Sequence, residues 1–294
     1  MASKMINKQG ILAVDAGGTY FKFAVLSKQG ELLTEVEKCP VDSNGNIQTI
    51  LSAYRAIYEK LKNDFLLTGV GISTPGPFDC KNGVSFMKHK FSSLYGVKLR
   101  EKLQEVFGET MSIWFCSDSN AFLAGEVFWG EYKQEQNVIG ITIGTGLGFS
   151  VIEKGKLIMT STGGPAERIF DEPYENGILE DYVSGKGCVS IYKSLGGEGY
   201  STAKELAENA SHNYFARKSF EKLGTALGEG LLPYVRKYHT KTVILGGQVS
   251  NAYSYIEASL QKVLSKENCL AKKAGNIDQS ALKGILQFQN QDGV

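Results

Sequence analysis

Apolar and polar positions alternate along the chain in short blocks, and the blocks predict strands interleaved with amphipathic helices. Ile11-Leu12-Ala13-Val14 reads as a buried strand, and Phe21, Phe23 and Val25 alternate with Lys22 and Ala24 in a second one. Between them Asp15-Ala16-Gly17-Gly18-Thr19 forms the turn of a hairpin, with Gly17 and Gly18 free to take positive φ. A third strand is expected over Leu32–Cys39. A helix is expected over Ile47–Lys62, with Ile50, Leu51, Tyr54, Ile57, Tyr58 and Leu61 at helical spacing. Thr68–Ile72 predicts a strand that runs into the rigid loop Ser73-Thr74-Pro75-Gly76-Pro77-Phe78-Asp79, and Tyr95–Phe107 predicts a helix. Met111–Cys116 predicts a strand, followed by Ser117-Asp118-Ser119-Asn120 and a helical AFLAGEVFWGE.

The second half repeats the opening plan. Val138–Ile143 alternates as a strand, Gly144-Thr145-Gly146-Leu147-Gly148 turns, and Phe149–Glu153 returns. No helix follows that glycine turn, which argues against a dinucleotide-binding βαβ unit. Two such hairpins suggest two related lobes. Helices are expected from Ser201 to Asn209, over Ala216–Tyr238 and over Gln279–Phe288, the last after a cap at Asp278. Gly224, Ala226, Gly228 and Gly230 leave the long helix open to close approach by another helix or by a flat ligand. Thr242–Leu245 reads as a buried strand that ends in Gly246-Gly247, where a nucleotide base or ribose would meet bare backbone.

Composition narrows the class. The chain has 294 residues, enough for one large domain or two lobes, and a formal net charge of +1, which gives no broad attraction to nucleic acid or membrane. No apolar run spans a bilayer, and the N-terminal MASKMINKQG lacks the apolar core of a signal peptide. The five cysteines, Cys39, Cys80, Cys116, Cys188 and Cys269, are scattered, as suits reduced thiols in a cytoplasmic protein. His89, His212 and His239 share no metal-like spacing and read as structural or surface residues.

Several residues carry candidate chemistry. A strand-end carboxylate at Asp15 beside bare backbone N–H groups suits Mg²⁺ and phosphate together, although an ordinary hairpin uses the same residues. Asp118 stands at a strand-to-helix junction, where it is either a helix cap or a general base for a hydroxyl. Glu167 and Glu180 sit in loops, where a solvated surface charge is the plain alternative to a functional role.

The ordered set DAGGT, STPGPFD, SDSNAFLAGE, IGTGLG, ILEDYVSG and VILGGQVS, spread over nearly the whole chain, resembles the ROK family of bacterial sugar kinases and sugar-responsive repressors. That resemblance implies an α/β fold of two RNase H-like lobes of the actin-like ATPase type, with an active-site cleft between them. The small lobe would comprise residues 1–117 and 278–294, and the large lobe residues 118–277. It implies ATP with its phosphates over Gly17, Gly18, Thr19, Gly144, Thr145 and Gly146, and its adenosine lined by Gly246 and Gly247. Asp15 would position Mg²⁺ directly or through water. Asp118 matches the catalytic base for a sugar hydroxyl, Glu167 and Glu180 match sugar-binding positions, and Ser117 stands where the family usually has Asn.

One departure is informative. Many members hold zinc through a His three residues after the first glutamate and a cluster of three cysteines. Here the His position is Phe170 and the following DEPYENGI has no cysteine, so no zinc is expected and Phe170 and Pro173 are expected to order the loop. Losing that His removes a donor near the anomeric end of the sugar and offers an apolar face for stacking. This is the pattern most similar to bacterial β-glucoside kinases, which phosphorylate the 6-hydroxyl of a glucose unit in cellobiose and similar glucosides. Glucokinase, fructokinase and N-acetylmannosamine kinase are the alternatives of the same class. A sugar-sensing regulator acting through a protein partner is the alternative of another class, since about ten residues ahead of the first strand are too few for a DNA-binding helix-turn-helix. The expected partner is a small sugar or glucoside, without direct nucleic-acid or membrane binding, and homodimers are common in the family.

Overall fold

The computed structural model describes residues 8–88 and 90–289, and within it two five-stranded sheets repeat one plan. The N-terminal heptapeptide, His89 and the last five residues of the expected small lobe lie outside the described residues.

In the first unit, β1 (Lys8–Ala16), β2 (Tyr20–Leu26) and β3 (Glu37–Pro40) form an antiparallel meander. β4 (Phe65–Thr74) and β7 (Ile113–Ser117) extend it in parallel, giving the order β3-β2-β1-β4-β7. A small hairpin of β5 (Phe78–Asp79) and β6 (Val84–Ser85) follows β4. Helix α1 (Ile47–Leu61) starts where the Asn46 side chain accepts from the Thr49 N–H at 2.9 Å, and it buries the apolar stripe read from the sequence. Helix α2 (Leu99–Phe107) starts four residues later than expected, because Tyr95 and Lys98 bridge to β6. Of the expected third strand only Glu37–Pro40 is regular, with a single bridge from Leu26 to Leu32 ahead of it. Helix α3 (Asp118–Ala124) continues into a π-helical turn, Gly125–Trp129. Trp114 closes the sheet's other face, where its indole N–H donates to the Ile285 carbonyl at 2.9 Å.

In the second unit, β8 (Val138–Ile143), β9 (Leu147–Glu153) and β10 (Lys156–Ile158) form the meander. A small hairpin of β11 (Pro173–Tyr174) and β12 (Gly177–Ile178) comes next, and β13 (Thr242–Gly246) and β14 (Leu270–Lys273) add in parallel, giving β10-β9-β8-β13-β14. The two units therefore share strand order and strand sense, as two RNase H-like lobes require. Helices α4 (Leu179–Tyr182), α5 (Gly185–Ser194), α6 (Ala203–Asn209), α7 (Tyr214–Lys237) and α8 (Tyr253–Leu264) belong to this unit. Helix α6 opens on a reciprocal cap between Thr202 and Glu205. The small residues of α7 serve helix packing: a Cβ at Gly224 would stand 2.7 Å from the Ile256 carbonyl of α8, and one at Gly228 2.7 Å from Val263.

Packing divides the chain into the described residues of Met1–Glu131, Met159–Gly164 and Asp278–Val294, and those of Tyr132–Ile158 and Pro165–Ile277. The first boundary falls after Glu131 rather than at Asp118. The reason is that α3 packs on β7 and against the last helical segment, α9 (Ile277–Gly284) and its 3-10 extension Ile285–Phe288. There Ser280 donates to the buried carboxylate of Glu126. Among the described residues no helix is long and apolar enough to cross a membrane, and the five cysteines are free thiols. His212 and His239 are exposed.

Candidate active site

In the first unit the candidate residues gather at the carboxyl ends of three neighbouring parallel strands, where open α/β sheets bind ligands. Asp15 ends β1, opposite Ser73 of β4 in the parallel register, and Thr74 lies opposite Ser117 of β7. The Ser73 hydroxyl donates to Asp15 Oδ1 at 2.7 Å. The second carboxylate oxygen of Asp15 accepts no hydrogen bond from the described residues. Lys22, opposite Asp15 across the β1–β2 hairpin, pairs with Asp278 at 2.7 Å.

The junction after β7 separates capping from candidate chemistry. Ser117, buried, is the cap of α3 and accepts from the Asn120 N–H at 3.2 Å. Asp118 is thus freed from the N-cap position, and its Oδ1 accepts from the Ser119 N–H at 2.7 Å. Burial pushes the Asp118 carboxyl up to about 6, and the negative charge of Asp15 adds to the rise, against an opposing pull from Lys90. The Asp15 carboxyl is also raised by burial, opposed by the Ser73 hydrogen bond and by Lys22 and Lys90. Asn120 Nδ2 reaches the Gly163 carbonyl at 3.3 Å, and the Cys80 N–H donates to Thr162, so segment 159–164 is tied to this unit.

The hairpin turn differs from the expectation in one respect. Neither Gly17 nor Gly18 has positive φ. Gly17 is needed because a Cβ there would stand 2.7 Å from the Tyr20 carbonyl, and Gly18 faces Ser43 and the side chain of Lys90.

In the second unit the β8–β9 turn, Glu180 and the Gly246-Gly247 pair converge on one end of the sheet. Glu180 Oε2 accepts from the Leu147 N–H at 2.7 Å, and the Gly185 N–H donates to the Gly144 carbonyl at 2.8 Å. Gly246 lies opposite Thr142 in register. Gly247 has φ +81° and passes so close to β8 that a Cβ would stand 2.4 Å from the Ile143 carbonyl. Thr145, at the tip of the turn, is exposed.

Glu167 is held elsewhere, at the carboxyl end of α7. Its Oε1 accepts from Lys237 Nζ at 2.5 Å and from the Tyr238 hydroxyl. Partial burial acts to raise its carboxyl, but Lys237 and Tyr238 outweigh that and hold it low. Phe170 is half-buried against the core of this unit, with the Arg168 guanidinium 5.1 Å from its ring centre. Pro173 is exposed, and the loop is ordered by tyrosines instead. Tyr174 donates to Glu229 at 2.7 Å and meets the Tyr182 ring at 5.0 Å, while Tyr234 donates to Glu172 at 2.9 Å. Among the described residues no group of three or more His, Cys, Asp or Glu is placed to hold a metal.

Ser73, Lys90 and the tyrosine–glutamate pairs are additions to the residues singled out from the sequence. The basic run Lys88-His89-Lys90 was the one local signal available for Lys90.

The model of the ROK family matches residues 11–291. A glucokinase of Thermotoga maritima is 26% identical over 268 residues, covering 83% of this chain and 84% of that protein. An N-acetyl-D-glucosamine kinase of Vibrio atlanticus is 26% identical over 204 residues, covering 63% and 66%. Among solved structures, a ROK family glucokinase from Streptomyces griseus in complex with glucose and AMPPNP aligns with a TM-score of 0.81 at 23% identity, covering 96% of this chain and 99% of that one.

Proposed function

The chain belongs to the ROK family and is a sugar kinase, and from that premise we propose that it transfers the γ-phosphoryl group of ATP to the 6-hydroxyl of a glucose unit with Asp118 as general base. The observation that carries the reading is the Asp118 carboxylate. It is partly buried, does not cap α3, and has a carboxyl pushed up to about 6, so it is ionised at neutral pH yet more basic than a solvated aspartate. The hydroxyl proton passes to Asp118 as the sugar oxygen bonds to the γ-phosphorus. The bond from that phosphorus to the β,γ-bridging oxygen breaks, and ADP leaves.

Asp15 suits a magnesium ion that accompanies ATP. One of its oxygens is fixed by Ser73 and the other is uncommitted, and magnesium is held by one or two carboxylates together with substrate phosphates. Asp15 would hold the ion directly or through water, and the bound ion would offset phosphate charge. Gly17, Gly18, Thr19, Gly144, Thr145 and Gly146 are assigned to the phosphates and Gly246-Gly247 to the adenosine. In the second unit the bond between Glu180 and Leu147 ties a sugar-holding carboxylate to the glycine turn. Glu167 has Oε2 left for a sugar hydroxyl while Lys237 and Tyr238 hold Oε1.

For the acceptor we assign a glucose unit with a tolerated β-linked aglycone. Phe170 supplies no hydrogen bond to a free anomeric hydroxyl, so a capped sugar leaves no polar group of that side chain unpaired. Stacking of the sugar on Phe170 is not part of the assignment, because Arg168 lies over that ring. The test is kcat/KM for cellobiose or a simple β-glucoside against glucose, N-acetylglucosamine, N-acetylmannosamine and fructose, with coupled ADP detection. Turnover of the β-glucosides at least as efficient as that of glucose supports the assignment. Rejection of every glucoside while a free hexose turns over well removes it.

A further inference from the structure

Lys90 stands out as a cation at the Gly18 turn with no ion-pair partner among the described residues. Its backbone is pinned by the next residue. Phe91 is buried, has φ +48°, donates its N–H to the Ser43 carbonyl at 2.9 Å and lies 6.2 Å ring-to-ring from Phe21. Phe21 opens the return strand just after the Gly17-Gly18-Thr19 turn, and Thr19 accepts from Val41 at 3.0 Å. Val41, Ser43, Lys90 and Phe91 are thereby packed onto that turn. The Lys90 stem lies across it, with Cδ 3.6 Å and Cε 3.7 Å from where a Cβ on Gly18 would be. Lys90 is half-buried, and among the described residues no carboxylate lies within ion-pair distance of it. Its charge nevertheless reaches both Asp15 and Asp118.

A half-buried ammonium held over a glycine turn, with no carboxylate to pair it among the described residues, calls for an anion that comes with the ligand. We propose that Lys90 is a catalytic residue that contacts the γ-phosphoryl oxygens of the nucleotide across the Gly18 turn. This inference rests on the kinase reading above. Phosphoryl transfer spreads charge over the three oxygens of the transferred group, and a compact ammonium fixed beside them stabilises that charge without having to reorganise. The assignment separates Lys90 from Lys22, whose charge is already taken by Asp278.

The experiment is calorimetric binding of two nucleotides, the β,γ-imido analogue of ATP and ADP, each with Mg²⁺, to the wild type and to Lys90→Met, Lys90→Gln and Lys90→Arg. Lys90→Met and Lys90→Gln should each weaken the analogue ~10-fold or more and leave ADP within about twofold, because ADP lacks the group that Lys90 contacts. Lys90→Arg should recover most of the loss. In turnover, Lys90→Met should lower kcat by ~10²-fold with the sugar KM changed by no more than about threefold. Equal weakening of both nucleotides, or of neither, overturns the assignment. A sugar KM that rises in proportion to the fall in kcat/KM overturns it too, and assigns Lys90 to the acceptor. If the wild type binds the analogue and phosphorylates a sugar while the variants match it, the Lys90 inference alone falls. If the wild type binds no nucleotide, the kinase reading falls with it.

Discussion

Replacing Gly146 by alanine asks whether the glycine turn of the second unit is held by Glu180. The backbone at Gly146 lies outside the left-handed region, so alanine meets no conformational penalty there, and the effect comes from the methyl group alone. That Cβ would stand 2.6 Å from Glu180 Oε2, the same oxygen that accepts from the Leu147 N–H at 2.7 Å. The carboxylate is the far end of a flexible side chain, so it swings away and the fold survives. What is lost is one charge-assisted hydrogen bond, worth ~1.5–3 kcal/mol, and with it the position of both the turn and the sugar-holding carboxylate. If that loss falls on the transition state, kcat/KM drops about 10- to 100-fold, since ~1.4 kcal/mol is tenfold. If the loss falls on the folded state as well, the melting temperature should drop by roughly 3–12 °C, at roughly 2–4 °C per kcal/mol. The assay is coupled ADP release with both substrates varied, alongside thermal unfolding, for Gly146→Ala, Glu180→Gln and the double variant. Because both substitutions act on one contact, the double variant should cost clearly less than the sum. Strict additivity, or a Gly146→Ala enzyme within about twofold of wild type for both substrates, would refute the reasoning.

The remaining expectations concern charge and loop order. With the Asp118 carboxyl near 6, kcat/KM should fall tenfold per pH unit below about pH 6 as the base is protonated, and a profile flat down to pH 4.5 would exclude that ionisation as essential. The folded carboxyl lies above its ordinary 3.8, so its stabilising contribution is complete below about pH 4 and is lost as pH rises through 6. Asp118→Asn should therefore unfold at higher denaturant than wild type at pH 8, by on the order of 1–3 kcal/mol, with the gain vanishing at pH 4. Elemental analysis of protein purified without a metal-binding tag should find no stoichiometric zinc, and activity should survive a chelator once Mg²⁺ is restored; one zinc per chain would contradict the tyrosine-ordered loop. Tyr174→Phe and Tyr234→Phe should each cost ~0.5–1.5 kcal/mol in unfolding, and no measurable change in either would show that Glu229 and Glu172 do not staple the hairpin.

What the sequence revealed and what it hid follow a physical division. The hairpin around Asp15, the glycine turn at 144–146 and the placement of Asp118 after β7 depend on local alternation and turn residues, so they are legible in a single chain. The role of Ser117 as the cap, which frees Asp118, needed the hydrogen-bond geometry, since Ser, Asp and Asn all suit that position. The Glu180–Leu147 bond and the approach of Lys90 to Gly18 join residues 33 and about 70 positions apart, and only tertiary packing sets such distances. Helices α5 and α8 go beyond the elements that the pattern predicts. Helix α5 opens on the glycine-rich Ser184-Gly185-Lys186-Gly187, where intrinsic propensity argues against a helix until the Ser184 cap and the Gly144 carbonyl fix its first turn. The order of the 170–178 loop was assigned to Phe170 and Pro173. Phe170 does pack against the core, whereas Pro173 is exposed and the hydroxyls of Tyr174 and Tyr234 add anchoring contacts that the sequence pattern does not announce.

The central claim is that Asp118 removes the proton from a sugar hydroxyl that then takes the γ-phosphoryl group of ATP. Its most direct measurement is phosphorus NMR of the product formed from ATP and glucose or cellobiose by the wild type and by Asp118→Asn, with nucleotide affinity measured on both proteins. The expected result is a 6-phosphate of the glucose unit from the wild type, formation slowed ~10²-fold or more in Asp118→Asn, and nucleotide affinity unchanged. Phosphate on another hydroxyl, or an Asp118→Asn enzyme that turns over at near-normal rate, would contradict it.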